Sequence, residues 1–332
     1  MIEIVALSDA MREAVGLAER VATTDANVLV TGESGAGKDA LAAFIHSRSA
    51  RAAQPLVKID CATLPGELLE SELFGYERGA FTGATEAKPG RLEAAHRGTL
   101  VLDEIAHLTM NAQAKLLRVI ENREFERLGG RKTIEVDARL IALTNADLKD
   151  AVERRAFRDD LFYRLNVVHI VAPPLRERQK DIQPLSERLM RAYAEKHGRP
   201  ARKISREAQR ILKTYDFPGN VRELGNIIER AVIVCEASEI TETDLAESVR
   251  VAARQLERKD HRPTLADIEW EYIRETLLAT KGNKAEAARI LGISRKNLYE
   301  RLARKNADVR DQRSEVGRES SELKDPKSEL LK

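Results

Sequence analysis

Short runs of apolar, mostly β-branched residues recur through the first half of the chain and alternate with helix-like stretches. Five such runs predict buried strands: Asn27–Gly32, Pro55–Asp60, Thr99–Glu104, Arg139–Asn145 and Val167–Pro173. Strands that are apolar throughout and separated by helices indicate a parallel sheet covered on both faces. Alternating residues on both sides of Gly129 and Gly130 predict a β-hairpin between the third and fourth of these strands.

The strand pattern stops after the segment APPLRER, and the rest of the chain favours helices. We predict an α/β subdomain over residues 1–175, a helical subdomain over 176–250 and a linker over 251–264. Three helical patterns follow within residues 265–306. The last segment, 307–332, is almost wholly polar and is predicted to be disordered. The fold class is therefore α/β, followed by a small all-α domain.

Composition excludes several classes of protein. No run of about 18 apolar residues occurs, so no membrane span is expected. The N-terminus has acidic residues where a secretory signal would be basic. Cys61 and Cys235 lie far apart and lack CxxC partners, which argues against a zinc site and a disulfide framework. We expect a cytoplasmic protein.

A glycine-rich segment with the spacing G-x-x-x-x-G-K follows the first predicted strand and leads into a helix. Its glycines allow backbone N–H groups to turn towards phosphates, and the helix N-terminus adds its dipole. The setting favours a P-loop over a chance glycine-rich turn, with Lys38 reaching the β- and γ-phosphates. Asp39 stands where the general P-loop has a hydroxyl for Mg²⁺. The predicted nucleotide-binding residues are Gly32, Glu33, Ser34, Gly35, Ala36, Gly37, Lys38 and Asp39.

Two other strands also end in polar residues that suit nucleotide hydrolysis. Asp103 and Glu104 end the third strand, as in a Walker B segment. Asp103 is the predicted ligand of Mg²⁺, and Glu104 is expected to orient or deprotonate the attacking water. These acids would otherwise only solvate a strand end, an interpretation that the preceding P-loop disfavours. Asn145, after the fourth strand, is a candidate sensor of the γ-phosphate. The pattern indicates hydrolysis of ATP.

These motifs resemble those of the AAA+ ATPases, and more narrowly the bacterial enhancer-binding proteins that activate RNA polymerase carrying sigma-54. From Ile4 to Val251 the segments GESGAGK, ELFGYERGAFTGA, GTLVLDEI, FRDDLFYRLNV, PPLRER and FPGNVREL occur in the order of the family. The resemblance implies an AAA+ fold with a helical lid, a ring that is by analogy a hexamer, and sigma-54 and RNA polymerase as partners.

Most relatives carry a receiver or ligand-sensing domain before the ATPase, whereas here the ATPase begins directly after Met1. Three explanations stay open: a regulator that acts in trans, control through the expression level, or a chain that is a fragment.

The glycine-rich segment 75–90 carries a single phenylalanine, Phe81, beside Thr82. From the residues alone, Phe81 either folds back into the core or reaches out to a partner. The resemblance implies the second: a loop that rises from the ring and grips sigma-54, supported by the hairpin at Gly129. The residues of this contact are Gly79, Ala80, Phe81, Thr82, Gly83 and Ala84.

The resemblance also assigns roles to three arginines. Arg158 and Arg164 match a pair of arginine fingers that the family supplies to the γ-phosphate of the neighbouring subunit. Taken singly, an arginine beside Asp159 and Asp160 is more often a partner in a surface ion pair. Arg222 matches the sensor II residue of the lid.

Two positions depart from the pattern of the family. Asp60 stands where an asparagine commonly holds the catalytic acid in an inactive pose. Because a carboxylate cannot donate a hydrogen bond to Glu104, we expect a neighbour or a water to make that contact. Phe217 stands where tryptophan is usual, and this apolar change should leave the lid packing intact.

Residues 281–305 carry eight Lys/Arg against two Glu, a net of +6 in a chain whose net charge is +2. Such clustering predicts contact with DNA phosphates rather than a solvated basic helix. The segment reads as a helix, a turn at Gly292 and a second helix, and it resembles the Fis-type helix-turn-helix. The expected packed face is Ala285, Ala288, Ile290 and Leu291.

The start of the second helix of a helix-turn-helix faces base edges in double-stranded DNA. The candidates are Ser294 as helix cap, Arg295, Lys296 and Asn297, with Tyr299 and Arg301 nearer the backbone. The helix that precedes the motif, 265–280, is expected to pair two subunits on a palindromic site.

The sequence thus predicts an ATP-hydrolysing, DNA-binding activator that remodels the closed complex of sigma-54 polymerase. One alternative is a DNA-binding repressor with a relic ATPase module, against which Glu104, Arg158 and Arg164 argue. The other is an AAA+ remodeller of a different client, against which the intact GAFTGA segment argues. An ATPase assay tests the first alternative, and a sigma-factor binding assay tests the second.

Overall fold

The computed structural model describes residues 4–260, 265–280 and 282–302. The chain divides into two compact units, Met1–Glu257 and Arg258–Lys332. The β-strands are β1 Val28–Thr31, β2 Leu56–Asp60, β3 Gly75–Tyr76, β4 Lys88–Pro89, β5 Thr99–Asp103, β6 Glu124–Glu126, β7 Thr133–Glu135, β8 Arg139–Thr144, β9 Val168–Val171, β10 Lys203–Ile204 and β11 Glu239–Ile240.

The α-helices are α1 Asp9–Ala22, α2 Lys38–Ser47, α3 Gly66–Phe74, α4 Arg91–Ala94, α5 Met110–Asn122, α6 Leu148–Glu153, α7 Asp159–Leu165, α8 Gln179–His197, α9 Arg206–Thr214, α10 Asn220–Val234, α11 Glu247–Asp260, α12 Leu265–Ala279 and α13 Lys284–Ile290. Residues 295–302 form a further helix. None of the helices in the described part of the chain is long and apolar enough to cross a membrane.

The main sheet has the strand order β2-β5-β8-β1-β9, and every pairing in it is parallel. These are the five strands that the apolar runs predict, so the predicted parallel sheet is confirmed. The side chains of successive residues in β1 lie on opposite faces of the sheet, because side chains alternate along a strand. Leu29 belongs to a core with α3, α5 and α7, whereas Val28 and Val30 belong to a core with α1 and α2.

The predicted hairpin is also confirmed: β6 and β7 pair antiparallel, with Phe125 opposite Ile134. Between them, Leu128 forms a bridge to Tyr76 at the end of β3. The hairpin therefore lies directly beside the start of the glycine-rich segment 75–90.

The helical part of the first unit, the lid, packs α8, α9, α10 and the first turns of α11 around a core of its own. Phe217 is fully buried there, and its ring centroid is 5.0 Å from that of Tyr215. The lid is joined to the start of the chain through Asp181, whose carboxylate accepts hydrogen bonds from Leu7 N, Ser8 N and Ser8 Oγ at 2.6, 2.9 and 2.8 Å.

The predicted linker, 251–264, is helical as far as Asp260, which differs from the sequence prediction. Ala253 is 1% exposed and belongs to the lid core. The reason is that apolar residues at 249 and 253, four apart, extend the buried stripe of α11 into a stretch whose other residues are charged. The predicted tail, 307–332, lies outside the described residues.

In the second unit, α12, α13 and the helix at 295–302 enclose a small core of Ile273, Ala287, Ala288 and Leu298. The predicted packed face is partly wrong, because Ile290 is 52% exposed and Ala287 is buried instead. The buried stripe of α13 is centred between Ala287, Ala288 and Leu291, and Ile290 lies roughly 100° from that centre at 3.6 residues per turn.

Candidate functional site

The segment 32–37 connects β1 to α2, the strand–loop–helix setting that the sequence predicts. Gly35 has φ +74°, and a Cβ added there would lie 2.4 Å from Gly219 O. Gly32 has φ +151°, and an added Cβ would lie 2.6 Å from Ala172 O. Both positions combine a left-handed backbone with a close approach of other backbone, so only glycine fits them.

Lys38 closes over this loop from the first turn of α2. Its side chain is 7% exposed, and its Nζ donates hydrogen bonds to Gly32 O at 2.8 Å and Glu33 O at 3.3 Å. The same Nζ lies 3.5 Å from Glu104 Oε1. The structure therefore brings together the P-loop lysine and the predicted catalytic acid, which are far apart in sequence.

Glu104 is held at both carboxylate oxygens. While Oε1 faces Lys38, Oε2 accepts a hydrogen bond from Asn145 N at 3.1 Å, because β5 and β8 are neighbours. Asn145 thus meets Glu104 through its backbone N–H. Glu104 itself has φ +50° and ψ +51°, a left-handed conformation that is uncommon for residues other than glycine.

Asp60 does not hold Glu104 in this structure. Its Oδ1 accepts a hydrogen bond from Ala62 N at 2.9 Å, and in the β2–β5 register it lies opposite Asp103. The backbone N–H of Asn145 supplies the donor that an Asp at position 60 cannot. Burial, followed by the charges of Asp60, Asp103 and Glu104, raises the pKa of the neighbouring Cys61 thiol to about 12.

A residue that the sequence analysis missed, Lys58, lies among these acids. Its Nζ is 2.7 Å from Asp103 Oδ2 and also hydrogen-bonds Asp39 Oδ1. Burial lowers the pKa of Lys58, but the bonds to Asp103 and Asp39 outweigh burial, and the pKa lies above its usual value. In the sequence Lys58 only interrupts an apolar strand, and nothing local indicates that Asp39 and Asp103 converge on it.

The lid contacts the P-loop through residues of the segment FPGNVREL. Arg222 Nη1 donates to Ser34 Oγ at 2.8 Å, and Val221 N donates to Gly35 O at 3.0 Å. The fully buried Asn220 donates to Ser34 O at 3.1 Å. The structure thus places the predicted sensor II residue beside the loop that it is expected to monitor.

Two arginines of the segment PPLRER also hold the P-loop, and the sequence assigns neither of them a role. Arg176 binds both carboxylate oxygens of Glu33, at 2.6 and 2.9 Å. This bond, with one from Asn220, lowers the pKa of Glu33 to about 2. The buried Arg178 donates to Ala36 O at 2.6 Å. Side chains of both segments, PPLRER and FPGNVREL, therefore fix the P-loop.

No group of three or more His, Cys, Asp or Glu that could hold a metal by itself occurs in the described ranges. Mg²⁺ at nucleotide sites is held by one or two carboxylates together with the phosphates and waters. Asp103 and Asp39, which share the Lys58 ammonium as a common cation, supply two such carboxylates at one point. The oxygen donors therefore fit a nucleotide-bound Mg²⁺.

Residues 79–84 form a short turn between β3 and β4. Gly79 N donates to Ala84 O at 2.8 Å, and Ala84 N donates to Phe81 O at 3.0 Å. Phe81 is 43% exposed, and its ring meets Tyr76 edge-on with centroids 5.0 Å apart. Phe81 is therefore not a core residue, which rules out the first of the two interpretations that the sequence leaves open.

The β6–β7 hairpin braces this turn. Its Gly129 approaches so closely that an added Cβ would lie 2.8 Å from Ala80 Cβ. At the same end of the hairpin, Arg127 forms ion pairs with Glu77 at 3.1 Å and Glu93 at 2.7 Å. These contacts place the two loops next to each other, as the resemblance implies.

Both predicted arginine fingers lie on the surface of α7 or just before it. Arg158 binds the two carboxylate oxygens of Asp160 at 3.0 and 2.7 Å. Arg164 lies 3.1 Å from Glu121 and its side chain is 60% exposed. In the isolated chain the two guanidinium groups thus form surface ion pairs.

The candidate DNA-reading residues lie at the start of the helix at 295–302. Ser294 caps that helix by accepting a hydrogen bond from Asn297 N at 3.2 Å. Arg295, Lys296 and Asn297 are exposed. Tyr299 is also exposed, and Lys284 Nζ lies 4.9 Å from the centroid of its ring. Basic side chains from two helices therefore share one surface with the tyrosine.

Three family models match successive parts of the chain. Residues 4–171 match the Sigma-54 interaction domain, residues 176–262 the AAA+ ATPase lid domain, and residues 264–304 the Bacterial regulatory protein, Fis family. The order agrees with the sheet, the lid and the helix-turn-helix described above.

Longer regulatory proteins show the same likeness. The chain is 42% identical over 312 residues to regulatory protein AtoC of Escherichia coli (strain K12), covering 92% of this chain and 68% of AtoC. It is 43% identical over 309 residues to transcriptional regulatory protein FlbD of Caulobacter vibrioides, covering 88% of this chain and 68% of FlbD. The chain spans about two thirds of the length of these relatives.

Among solved structures, NtrX from Brucella abortus in complex with ATP aligns with a TM-score of 0.70 at 34% identity, over 91% of this chain and 69% of NtrX. The complex of NtrX with ADP aligns with a TM-score of 0.68 at 35% identity, over the same shares of the two chains. The chain therefore belongs to the sigma-54-dependent transcriptional activators, which combine an AAA+ ATPase domain with a Fis-type helix-turn-helix.

Proposed function

We propose that the chain hydrolyses ATP with Mg²⁺ and uses the energy to remodel the closed complex of sigma-54 RNA polymerase. The observation that carries this proposal is the placement of Glu104. Its side chain is only 20% exposed, and its carboxylate is held between Lys38, which in a P-loop reaches the phosphates, and the backbone of Asn145. A fixed carboxylate beside the phosphate-binding lysine suits activation of a water.

Mg²⁺, when bound with ATP, neutralises phosphate charge. Asp103 is the residue that would hold it, with Asp39 beside it. Lys38 would bind the β- and γ-phosphates, and the backbone of residues 32–37 would surround them. Arg222, through Ser34, would report the state of the nucleotide to the lid.

Arg158 and Arg164 would act on the active site of a neighbouring subunit. In the single chain they pair with Asp160 and Glu121, and both pairs are at the surface. Exposed ion pairs stabilise a fold by about 1 kcal/mol at most, so the arginines can exchange these partners for a phosphate at little cost. This assignment requires a ring, by analogy a hexamer.

The segment 79–84 would contact sigma-54 and so couple ATP hydrolysis to remodelling of the closed complex. Phe81 is exposed and Thr82 lies next to it. The β6–β7 hairpin contacts the turn at Ala80 and supports it. The second unit would bind double-stranded DNA with Arg295, Lys296 and Asn297 at base edges and Arg301 near phosphates. Pairing of two such units on a palindromic site would place the ring near a promoter.

The proposal is tested by open-complex formation at a sigma-54 promoter, with and without ATP, beside a sigma-70 promoter as control. We expect opening only with ATP and only at the sigma-54 promoter. Glu104→Gln should bind ATP and lose turnover by about a hundredfold or more, as expected for a residue that activates water. Appreciable hydrolysis by this variant would contradict the role of Glu104.

Thr82→Ala separates the client contact from the chemistry. It should keep ATP hydrolysis near that of the unmodified protein and lose open-complex formation, because Thr82 takes part in none of the P-loop contacts described above. Unchanged opening by Thr82→Ala would contradict the role of the segment 79–84, while the ATPase assignment would stand.

A further inference from the structure

The ammonium group of Lys58 occupies a position between two carboxylates of the nucleotide site. Lys58 Nζ lies 2.7 Å from Asp103 Oδ2 and binds Asp39 Oδ1 as well. In the β2–β5 register Lys58 is opposite Val101, two residues before Asp103, so Lys58 and Asp103 leave the same face of the sheet. Asp39, in the first turn of α2, completes the contact.

The charges around this point explain why a cation is needed there. Asp60 and Asp103 end the paired strands β2 and β5, Glu104 follows Asp103 in the chain, and Asp39 approaches from the first turn of α2 through its ion pair with Lys58. Asp103 is only 15% exposed, so water screens its charge weakly. Without a neutralising cation, these carboxylates would repel the phosphates of a nucleotide that arrived without a metal.

We propose that Lys58 is a built-in cation that competes with Mg²⁺ for Asp103. It neutralises Asp103 and Asp39 while no metal is bound, and it releases Asp103 when Mg²⁺ binds with the nucleotide. The inference rests on the proposed nucleotide site and adds a property to it: the Mg²⁺ concentration at which the site fills is set by this lysine.

Two consequences of opposite sign follow from removing the ammonium group. In the absence of metal, nucleotide binding weakens, because two unpaired carboxylates then face the phosphates. In the presence of metal, less Mg²⁺ is needed, because no internal cation competes for Asp103. A general loss of packing at position 58 would weaken binding under both conditions and so would not produce this pattern.

The test uses Lys58→Met, with binding of a fluorescent ADP measured in EDTA and across a Mg²⁺ titration. We expect the affinity in EDTA to fall about fivefold or more and the half-saturating Mg²⁺ concentration to fall by a similar factor, the usual size of a coupling between two sites. Lys88→Met is the matched control, since Lys88 is a half-exposed lysine that pairs with Glu72 away from these acids. It should behave as the unmodified protein does.

A second measurement needs no nucleotide. Mn²⁺, followed by electron paramagnetic resonance, should bind the nucleotide-free Lys58→Met variant more tightly than the unmodified protein. Lys58→Arg, which keeps the charge, should show the metal dependence of the unmodified protein. Adding Asp39→Asn to Lys58→Met should restore part of the affinity in EDTA, because one unpaired charge is removed.

The two proposals fail in different ways. If the unmodified protein binds no nucleotide even with Mg²⁺, the proposed nucleotide site is wrong. If it binds nucleotide, and Lys58→Met shows the same Mg²⁺ and Mn²⁺ dependence as the unmodified protein, only the role of Lys58 is overturned.

Discussion

The two glycine-rich segments of the ATPase domain use glycine for different reasons. At Gly35 an added Cβ would lie 2.4 Å from backbone, whereas at Gly79 and Gly83 it would meet nothing within 4 Å. All three residues have positive φ. In the P-loop, glycine admits a close approach of the lid. In the segment 79–84, where the surrounding space is open, glycine allows the backbone to change conformation. Glycine content alone does not distinguish a packed loop from an open one.

The largest effect is expected from Gly35→Ala. The new Cβ would strain a left-handed backbone by about 1–2 kcal/mol, and the overlap with Gly219 O would displace the lid as well. We expect nucleotide affinity to fall on the order of a hundredfold, which corresponds to about 3 kcal/mol. The measurement is binding of a fluorescent ADP with saturating Mg²⁺.

The matched control for Gly35→Ala is Gly16→Ala, in the interior of α1, where an added Cβ meets nothing within 4 Å. This variant should bind nucleotide normally and gain about 0.5–1 kcal/mol of stability, because alanine favours helix over glycine. Equal nucleotide affinity in the two variants would contradict the interpretation that the packing of Gly35 against the lid requires a glycine.

A smaller and different effect is expected from Gly79→Ala. With open space around it, the methyl group costs only the backbone strain, about 1 kcal/mol. Nucleotide binding and ATPase activity should stay near those of the unmodified protein, while open-complex formation falls because the segment reaches fewer conformations. A loss of ATPase activity equal to the loss of opening would show that the segment is coupled to the P-loop more tightly than the contacts indicate.

The smallest effect is expected from Glu33→Gln, which weakens the bond between the P-loop and Arg176. The pair is about 42% exposed at both side chains, so its contribution at neutral pH should be below about 1 kcal/mol. Since the pKa of Glu33 is lowered from 4.5 to about 2, the stabilisation is full above pH 4.5 and is lost as the pH falls towards 2.

Urea unfolding of Glu33→Gln and the unmodified protein between pH 7 and pH 3 measures this difference. The difference in free energy of unfolding between Glu33→Gln and the unmodified protein should become smaller only below pH 4.5. Glu187→Gln serves as control, since Glu187 pairs with Arg191 within one exposed helix turn, away from the P-loop. A gap that is constant with pH would mean that Arg176 does not stabilise the charged form of Glu33.

Much of the nucleotide site is predictable because its signals are local. The apolar runs fix the strands, and parallel strands place their polar ends at one edge, where Lys38, Glu104 and Asn145 meet. The hairpin at Gly129 is predictable for the same reason. The side-chain contacts that hold the site together are less predictable. Lys58 meets acids 19 and 45 positions away.

Other differences between the sequence predictions and the structure arise where the periodicity of apolar residues is weak. Ile290 is apolar yet exposed, because the short helix α13 leaves a choice of faces that only packing against α12 decides. The charged stretch 254–260 is helical because Val249 and Ala253 continue the buried face of α11, a signal too sparse to outweigh the charges in the sequence. The Asn145 backbone contact to Glu104 is unpredictable in principle, since a backbone N–H carries no sequence signature.

The hydrogen bonds between Asp181 and residues 7–8 have a mechanical consequence. The carboxylate belongs to α8 of the lid, and its partners are the backbone and hydroxyl groups from which α1 begins. The polypeptide therefore enters the ATPase domain attached to the lid as well as to the sheet. A rotation of the lid must therefore either move residues 7 and 8 or break these three hydrogen bonds, although Ile4 and Ala6 pack on the core shared by α1, α2 and the sheet.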